Sequence, residues 1–130
     1  MVGRVLEVSG KQVEIVETEA FEGGIQTPKR ACMNLAPGEI GIMPYRGLYF
    51  VNISTKTTDL PSCVLIRAVK VDNELFDGPG KVGKALDAPS IEHLFVERDI
   101  PIKGETKASE FYAPRDRADN SAGRYRLKDV

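Results

Sequence analysis

Glu14-Ile15-Val16-Glu17-Thr18-Glu19-Ala20-Phe21 is the stretch on which the fold turns. An apolar pair, Ile15 and Val16, runs straight into two acids and an aromatic. With the two-residue period of a strand, Val16, Thr18 and Ala20 share one face, and Glu17, Glu19 and Phe21 share the other. Two carboxylates beside an aromatic ring admit two readings. One is a solvated edge strand, the commoner outcome for an isolated motif. The other is the floor of a pocket that activates water and stacks a flat ligand.

Working outward, most of the signal is strand. Val2 to Val8 alternates loosely, Ser9-Gly10-Lys11 reads as a turn, and Gln12 to Phe21 follows as a second strand able to pair with the first. Glu22-Gly23-Gly24 breaks it, and residues 25–38 read as a loop closed by Pro37-Gly38. Ile40 to Ile42 and Leu48 to Ile53 are two further strands around Met43-Pro44-Tyr45-Arg46-Gly47, whose Pro and Gly predict an exposed hairpin tip. Cys63 to Val71, apolar and rich in Val and Ile, reads as a central strand. Asp77-Gly78-Pro79-Gly80 is a turn and Lys81 to Leu86 a short helix. Residues 90–97 add a short helix or a strand. Lys103 to Asn120 is polar and irregular, and Gly123 to Leu127 closes the chain as a strand. The expectation is an α+β fold in a single domain over residues 1–130, dominated by a curved antiparallel β-sheet with few short helices.

Composition bounds the function. A chain of 130 residues with 42% hydrophobic and 28% charged residues builds one modest core. No apolar run approaches a membrane span, and Arg4 and Glu7 interrupt the N-terminus where a signal peptide would need apolar residues. Cys32 and Cys63 have no CxxC partner and His93 is the one histidine, which argues against a zinc site. No metal or other cofactor is expected. The cysteines read as reduced and partly buried in a cytoplasmic protein, with a disulfide left open. The formal net charge is −1 and the pI about 5.9, whereas dedicated DNA binders carry a basic face. Residues 111–130 hold five basic against three acidic side chains, so they form either a local basic patch or a solvated tail.

Two more features stand out. Arg67 interrupts the apolar run Cys63-Val64-Leu65-Ile66-Arg67-Ala68-Val69 and needs an anionic or aromatic partner, with an ion pair to Glu17 or Glu19 as the plain structural reading. Asp77-Gly78-Pro79-Gly80-Lys81 offers exposed backbone N–H groups and a positive charge, which suits a phosphate, although Gly-Pro-Gly is also simply a turn.

Taken in order, these segments resemble the alkyladenine (3-methyladenine) DNA glycosylases of the mammalian type. That family carries a Val-Glu-Thr-Glu-Ala-Tyr strand, a Thr-Pro-Arg-Asn loop, and a Lys-Pro-Gly segment before a Tyr-Gly hairpin ending in Asn-Ile-Ser. A Val-Leu-Leu-Arg-Ala strand and a Gly-Pro-Gly-Lys-Leu turn followed by Ala-Leu come next. Here the corresponding stretches are Val16-Glu17-Thr18-Glu19-Ala20-Phe21, Gln26-Thr27-Pro28-Lys29-Arg30, and Ala36-Pro37-Gly38. Tyr45-Arg46-Gly47-Leu48-Tyr49-Phe50-Val51-Asn52-Ile53-Ser54, Val64-Leu65-Ile66-Arg67-Ala68 and Gly78-Pro79-Gly80-Lys81-Val82 with Ala85-Leu86 follow. Arg124-Tyr125-Arg126-Leu127 is fainter and looks like the family's final Arg-Phe-Tyr strand.

The resemblance implies roles residue by residue. Glu19 matches the general base that activates the water attacking the sugar C1′. Arg67 matches a positioning arginine near that water. Phe21 matches an aromatic that stacks on the flipped base, Asn52 a residue at the pocket mouth that helps exclude guanine, and Leu65 and Met33 complete the base-binding set. Tyr45 or Arg46 matches the wedge that enters the minor groove, the hairpin being one residue shorter here. Lys29, Arg30, Gly80 and Lys81 would contact phosphates. The chemistry agrees with the residue types, since excision needs a desolvated carboxylate, an aromatic clamp for an electron-poor base and a probe that fills the hole in the duplex.

This sequence also departs from the family pattern. Only Glu22 to Gln26 separate Phe21 from Thr27, so the family's pocket histidine is absent. Phe21 replaces tyrosine, the N-terminal helical segment is missing and the C-terminal half is shortened. Two functions follow as expectations: a glycosylase that flips and hydrolytically excises alkylated or deaminated purines from duplex DNA, or a non-catalytic relative that binds a nucleotide, DNA or a protein partner through the old base pocket or sheet edge. A homodimer is left open, because shortening exposes former core surface.

Overall fold

The computed structural model describes residues 1–23, 32–58, 60–114 and 121–130. Its organising element is the long strand β2 (Lys11–Glu22), reached from β1 (Val5–Val8) through the two-residue turn Ser9-Gly10. Both turn residues have positive φ, 50° and 78°, as a type I′ hairpin requires. The same device recurs twice. Arg46-Gly47 joins β3 (Ile40–Tyr45) to β4 (Leu48–Ser54), and Asp72-Asn73 joins β5 (Ser62–Val71) to β6 (Glu74–Asp77). The first strand of the middle hairpin runs three residues further than the sequence predicts. Pro44 therefore sits inside β3 opposite Tyr49, tolerated because β3 is an edge strand and that N–H is not needed. The sequence pattern does not mark the strand β6, nor β8 (Ser109–Tyr112), which lies in the stretch that reads as irregular.

All strand pairs are antiparallel, and among the described residues nine strands form one sheet, giving an α+β fold with few short helices. The central ladder is β2 against β5. On the far edge of β5, β4 takes the Cys63–Leu65 half and β6 the Ala68–Val71 half. On the far edge of β2, β1 takes the Lys11–Glu14 half and β9 (Ser121–Leu127) the Glu17–Phe21 half. Short β7 (Ile102–Lys103) extends β1, and β8 extends β9. Each central strand is thus shared end to end by two neighbours.

The helices α1 (Pro79–Ala85) and α2 (Ala88–Ile91) cover one face, where Val13, Ile15, Ile66, Val69, Val82 and Ala88 are fully buried in the main core. Proline in the first turn starts each helix. Gly83 brings α1 against β4: a Cβ there would lie 1.9 Å from the Tyr49 carbonyl oxygen, so only glycine permits the crossing. Beyond Ile91 the chain turns and makes isolated bridges, Glu39 with Phe95 and Val96 with Ile100, instead of a second regular element.

The opposite face carries the polar chemistry, and a paired irregularity in the central ladder places it there. Ile15 pairs with Val69 and Thr18 with Ile66, but between them Glu17 pairs with Ala68. Val13, Ile15, Val69 and Val71 point into the main core before this break, and Ile66 does so after it. Both strands therefore change parity at the same level. Glu17, Glu19 and Phe21 of β2, with Cys63 and Leu65 of β5, emerge on the face away from the helices.

Candidate active site

Along this face of β2 the surroundings grade from ionic at Glu17 to apolar at Phe21. Arg67, adjacent on β5, lies across both acids. Its Nε donates to Glu17 Oε2 at 3.2 Å and its Nη1 to Glu19 Oε1 at 3.0 Å. The strand β9 approaches from the other side with Arg124 and Arg126, whose register sets them opposite Glu19 and Glu17. Arg126 Nη1 donates to Glu17 Oε1 at 2.9 Å, and its guanidinium makes a two-pronged contact with Asp77, 3.1 Å on each oxygen. Arg124 Nη1 stands 3.5 Å from Glu17 Oε2. Asp77, and with it Glu17, push Arg126 above its ordinary value against the opposing effect of burial.

The two acids are therefore not equivalent. Glu17 faces three guanidinium groups. Glu19 has one, Arg67, and its second oxygen accepts a 2.7 Å hydrogen bond from the Ser121 hydroxyl. Both carboxylates are buried, Glu19 at 5% exposure, and each oxygen has a partner. Glu17, Arg67, Asp77, Gly78, Arg124 and Arg126 line an open polar depression of about 310 Å³. Its lining sets two acids against three arginines, and Glu19, bonded to Arg67, supplies the third carboxylate that balances the group.

At the other end of the face lies the apolar cluster of Phe21, Met33, Cys63 and Leu65, with Cys32 and Phe50 packed against it. The structure brings Phe21, Met33 and Leu65 together, and Phe21 is only 1% exposed. The Cys32 thiol hydrogen-bonds that of Cys63, and this contact with burial pushes its pKa up, so it stays a thiol. Neither cysteine is in a disulfide. Asn52 is buried beside them: its Nδ2 donates to the Phe50 carbonyl at 3.4 Å, and its Oδ1 is 4.0 Å from Cys63 Sγ.

The hairpin tip meets the edge of this cluster through Phe50. Tyr45 is 41% exposed and tilts against Phe50 with ring centroids 5.4 Å apart, while the Arg46 guanidinium lies over the Tyr45 ring. Gly80 is buried under the Leu48 side chain, which joins the first turn of α1 to the hairpin and leaves Lys81 exposed nearby. Lys29 and Arg30 lie outside the described residues. Among those described, no three His, Cys, Asp or Glu side chains are grouped to hold a metal ion.

Sequence reasoning did not single out Ser121, Asp77, Arg124 or Arg126 as site residues. The alternation Arg124-Tyr125-Arg126 does put both arginines on one face, but nothing local says that β9 lies beside β2.

The family description "methylpurine-DNA glycosylase" matches residues 1–117. A Synechococcus elongatus protein provisionally named 3-methyladenine DNA glycosylase is 38% identical over 76 residues, covering 51% of this chain and 39% of the relative. The Mus musculus DNA-3-methyladenine glycosylase is 28% identical over 135 aligned positions, covering 77% of this chain and 39% of the relative. The chain thus spans about two fifths of the length of the curated relatives it matches.

Proposed function

The chain belongs to the methylpurine-DNA glycosylase family, and from that premise we propose that it binds duplex DNA and excises modified purines by hydrolysis, with Glu19 as the general base. The observation that carries this reading is the asymmetry of the two buried acids. Glu17 is surrounded by three guanidinium groups, whereas Glu19 has one guanidinium on Oε1 and the neutral Ser121 hydroxyl on Oε2, and each of these oxygens keeps a lone pair for a water. In the proposed step that water attacks C1′ of the flipped nucleotide. Its proton passes to the Glu19 carboxylate, the C1′–N bond breaks, and the base leaves with the bonding electrons. Arg67 holds Glu19 in place and faces the charge that changes during attack. Asn52, Leu65, Met33 and Phe21 are the proposed base-side residues, and Tyr45 with Arg46 the proposed wedge, replacing the flipped base in the stack. Lys81, beside the hairpin, is the proposed phosphate contact, together with Lys29, Arg30 and the Gly80 backbone.

A second reading rests on the burial of Phe21. At 1% exposure its ring is covered by its own neighbours, so a base stacks on it only after a residue of that cluster, such as Met33, moves aside. A relative that binds DNA without excising a base is consistent with that packing. Duplexes carrying ethenoadenine, hypoxanthine or 3-methyladenine separate the two readings. Low-salt binding with time-dependent release of at least one base supports the glycosylase. Binding with no release at high enzyme excess supports the non-catalytic relative, and absence of binding contradicts both.

A further inference from the structure

We propose that Ser121 is a positioning residue for Glu19, fixing the carboxylate in the orientation that proton abstraction needs; the inference rests on Glu19 acting as the base. The Ser121 Oγ–Glu19 Oε2 separation of 2.7 Å is that of a charge-assisted O–H···O⁻ bond. Its direction is fixed twice. An ionised carboxylate accepts only, so the serine donates. The Gly123 N–H in turn donates to Ser121 Oγ at 3.2 Å, occupying a lone pair on that oxygen and leaving its proton for Glu19.

The backbone is built for this contact. Ala20 pairs with Gly123 and Phe21 with Ser121, so Ala122 is an extra residue in β9. This bulge turns Ser121 toward β2. It needs glycine at its end: Gly123 has φ +103°, and a Cβ there would lie 2.2 Å from the Phe111 ring. Arg67 on one oxygen and Ser121 on the other then define the plane of the Glu19 carboxylate from opposite neighbouring strands. A glutamate held by one donor alone keeps rotational freedom about its terminal bond, and a base misplaced by about 1 Å loses on the order of a hundredfold in rate. Glu17 receives no hydroxyl contact among the described residues, which fits a structural role for that acid.

The test compares wild type, Ser121→Ala, Ser121→Thr and Ser121→Cys in the full chain. It reads the single-turnover excision rate and the Kd for the same lesion duplex, with thermal melts to establish folding. The expected result for Ser121→Ala is a rate lower by on the order of tenfold to a hundredfold with Kd within about twofold. Ser121→Thr, which retains the hydroxyl, recovers most of the rate. Should the alanine variant not fold, Ser121→Cys keeps the shape with a weaker donor and reads the same effect. A folded Ser121→Ala or Ser121→Cys protein that excises at the wild-type rate overturns the inference alone. A wild-type chain that releases no modified purine overturns the reading of Glu19 and the inference with it.

Discussion

Arg67 meets Glu19 across the β2–β5 ladder, Nη1 to Oε1 at 3.0 Å, while its Nε holds Glu17. One guanidinium, 14% exposed, thus separates two buried carboxylates on the same strand face. Only a planar, forked cation does this from a single position.

Removing that cation leaves two buried like charges as neighbours. Arg67→Ala is expected to destabilise the fold by about 3 kcal/mol, the lower end for a broken buried pair, since Arg124 and Arg126 remain on Glu17. Arg67→Lys recovers part of this, because a point charge cannot reach both acids. Urea denaturation of the two variants checks it, and an unchanged midpoint in Arg67→Ala contradicts the network.

The crossing of α1 over β4 has its own test. On helix propensity alone Gly83→Ala gains about 1 kcal/mol. The Tyr49 carbonyl leaves no room for the methyl group, so the expected outcome is a clear loss of melting temperature. A gain would mean that the helix sits further from the sheet.

The two residues of the hairpin tip should separate cleanly. Arg46→Ser is expected to leave stability within about 0.5 kcal/mol and to weaken binding to duplex DNA, as befits an exposed side chain in a wedge. Tyr45→Ala costs in addition about 1 kcal/mol, because its ring packs on Phe50. Melting curves and binding isotherms on the same samples read both. Unchanged DNA affinity in both variants removes the tip from the interface.

Cys32 gives the fold an alkaline dependence. The Cys63 hydrogen bond and burial raise its pKa above the value near 9 that it has in the unfolded chain. The unfolded chain therefore releases this proton first as pH rises. The contribution to stability is fully present below about pH 9 and declines above it. Wild type is expected to lose stability between pH 8 and pH 10.5 more steeply than Cys32→Ala, with slow thiol alkylation at pH 8 (roughly the ordinary thiol range). Fast alkylation of Cys32 in the folded protein contradicts this packing.

Much of the architecture is legible in local sequence. Alternation from Gln12 to Phe21 and from Cys63 to Val71 marks the two central strands, and it puts Glu17, Glu19 and Phe21 on one face. What alternation cannot give is the parity change near Glu17 and Ala68, because that depends on two strands breaking pattern at the same level. Asp72-Asn73 is a two-residue turn of the same kind as Ser9-Gly10, but without glycine it is a weaker signal, and β6 beyond it is not marked by the sequence. The site shows the same division. An arginine inside an apolar strand announces that it needs an anion, so Arg67 is found from sequence. Ser121, Arg124 and Arg126 carry no such mark, since they reach Glu19 and Glu17 only through the pairing of β9 with a strand about a hundred residues earlier. Phe21 shows the remaining ambiguity: an aromatic beside acids reads equally as a stacking platform and as the centre of a small apolar cluster.

The most direct test is single-turnover excision by wild type and Glu19→Gln on a duplex carrying whichever of ethenoadenine, hypoxanthine or 3-methyladenine the wild type releases, with Kd measured for each protein. A base that acts on water in the transition state contributes little to ground-state affinity. The account predicts that Glu19→Gln binds the duplex like wild type and releases no base. Equal release by the two proteins, or no release by wild type from any of the three duplexes, contradicts it.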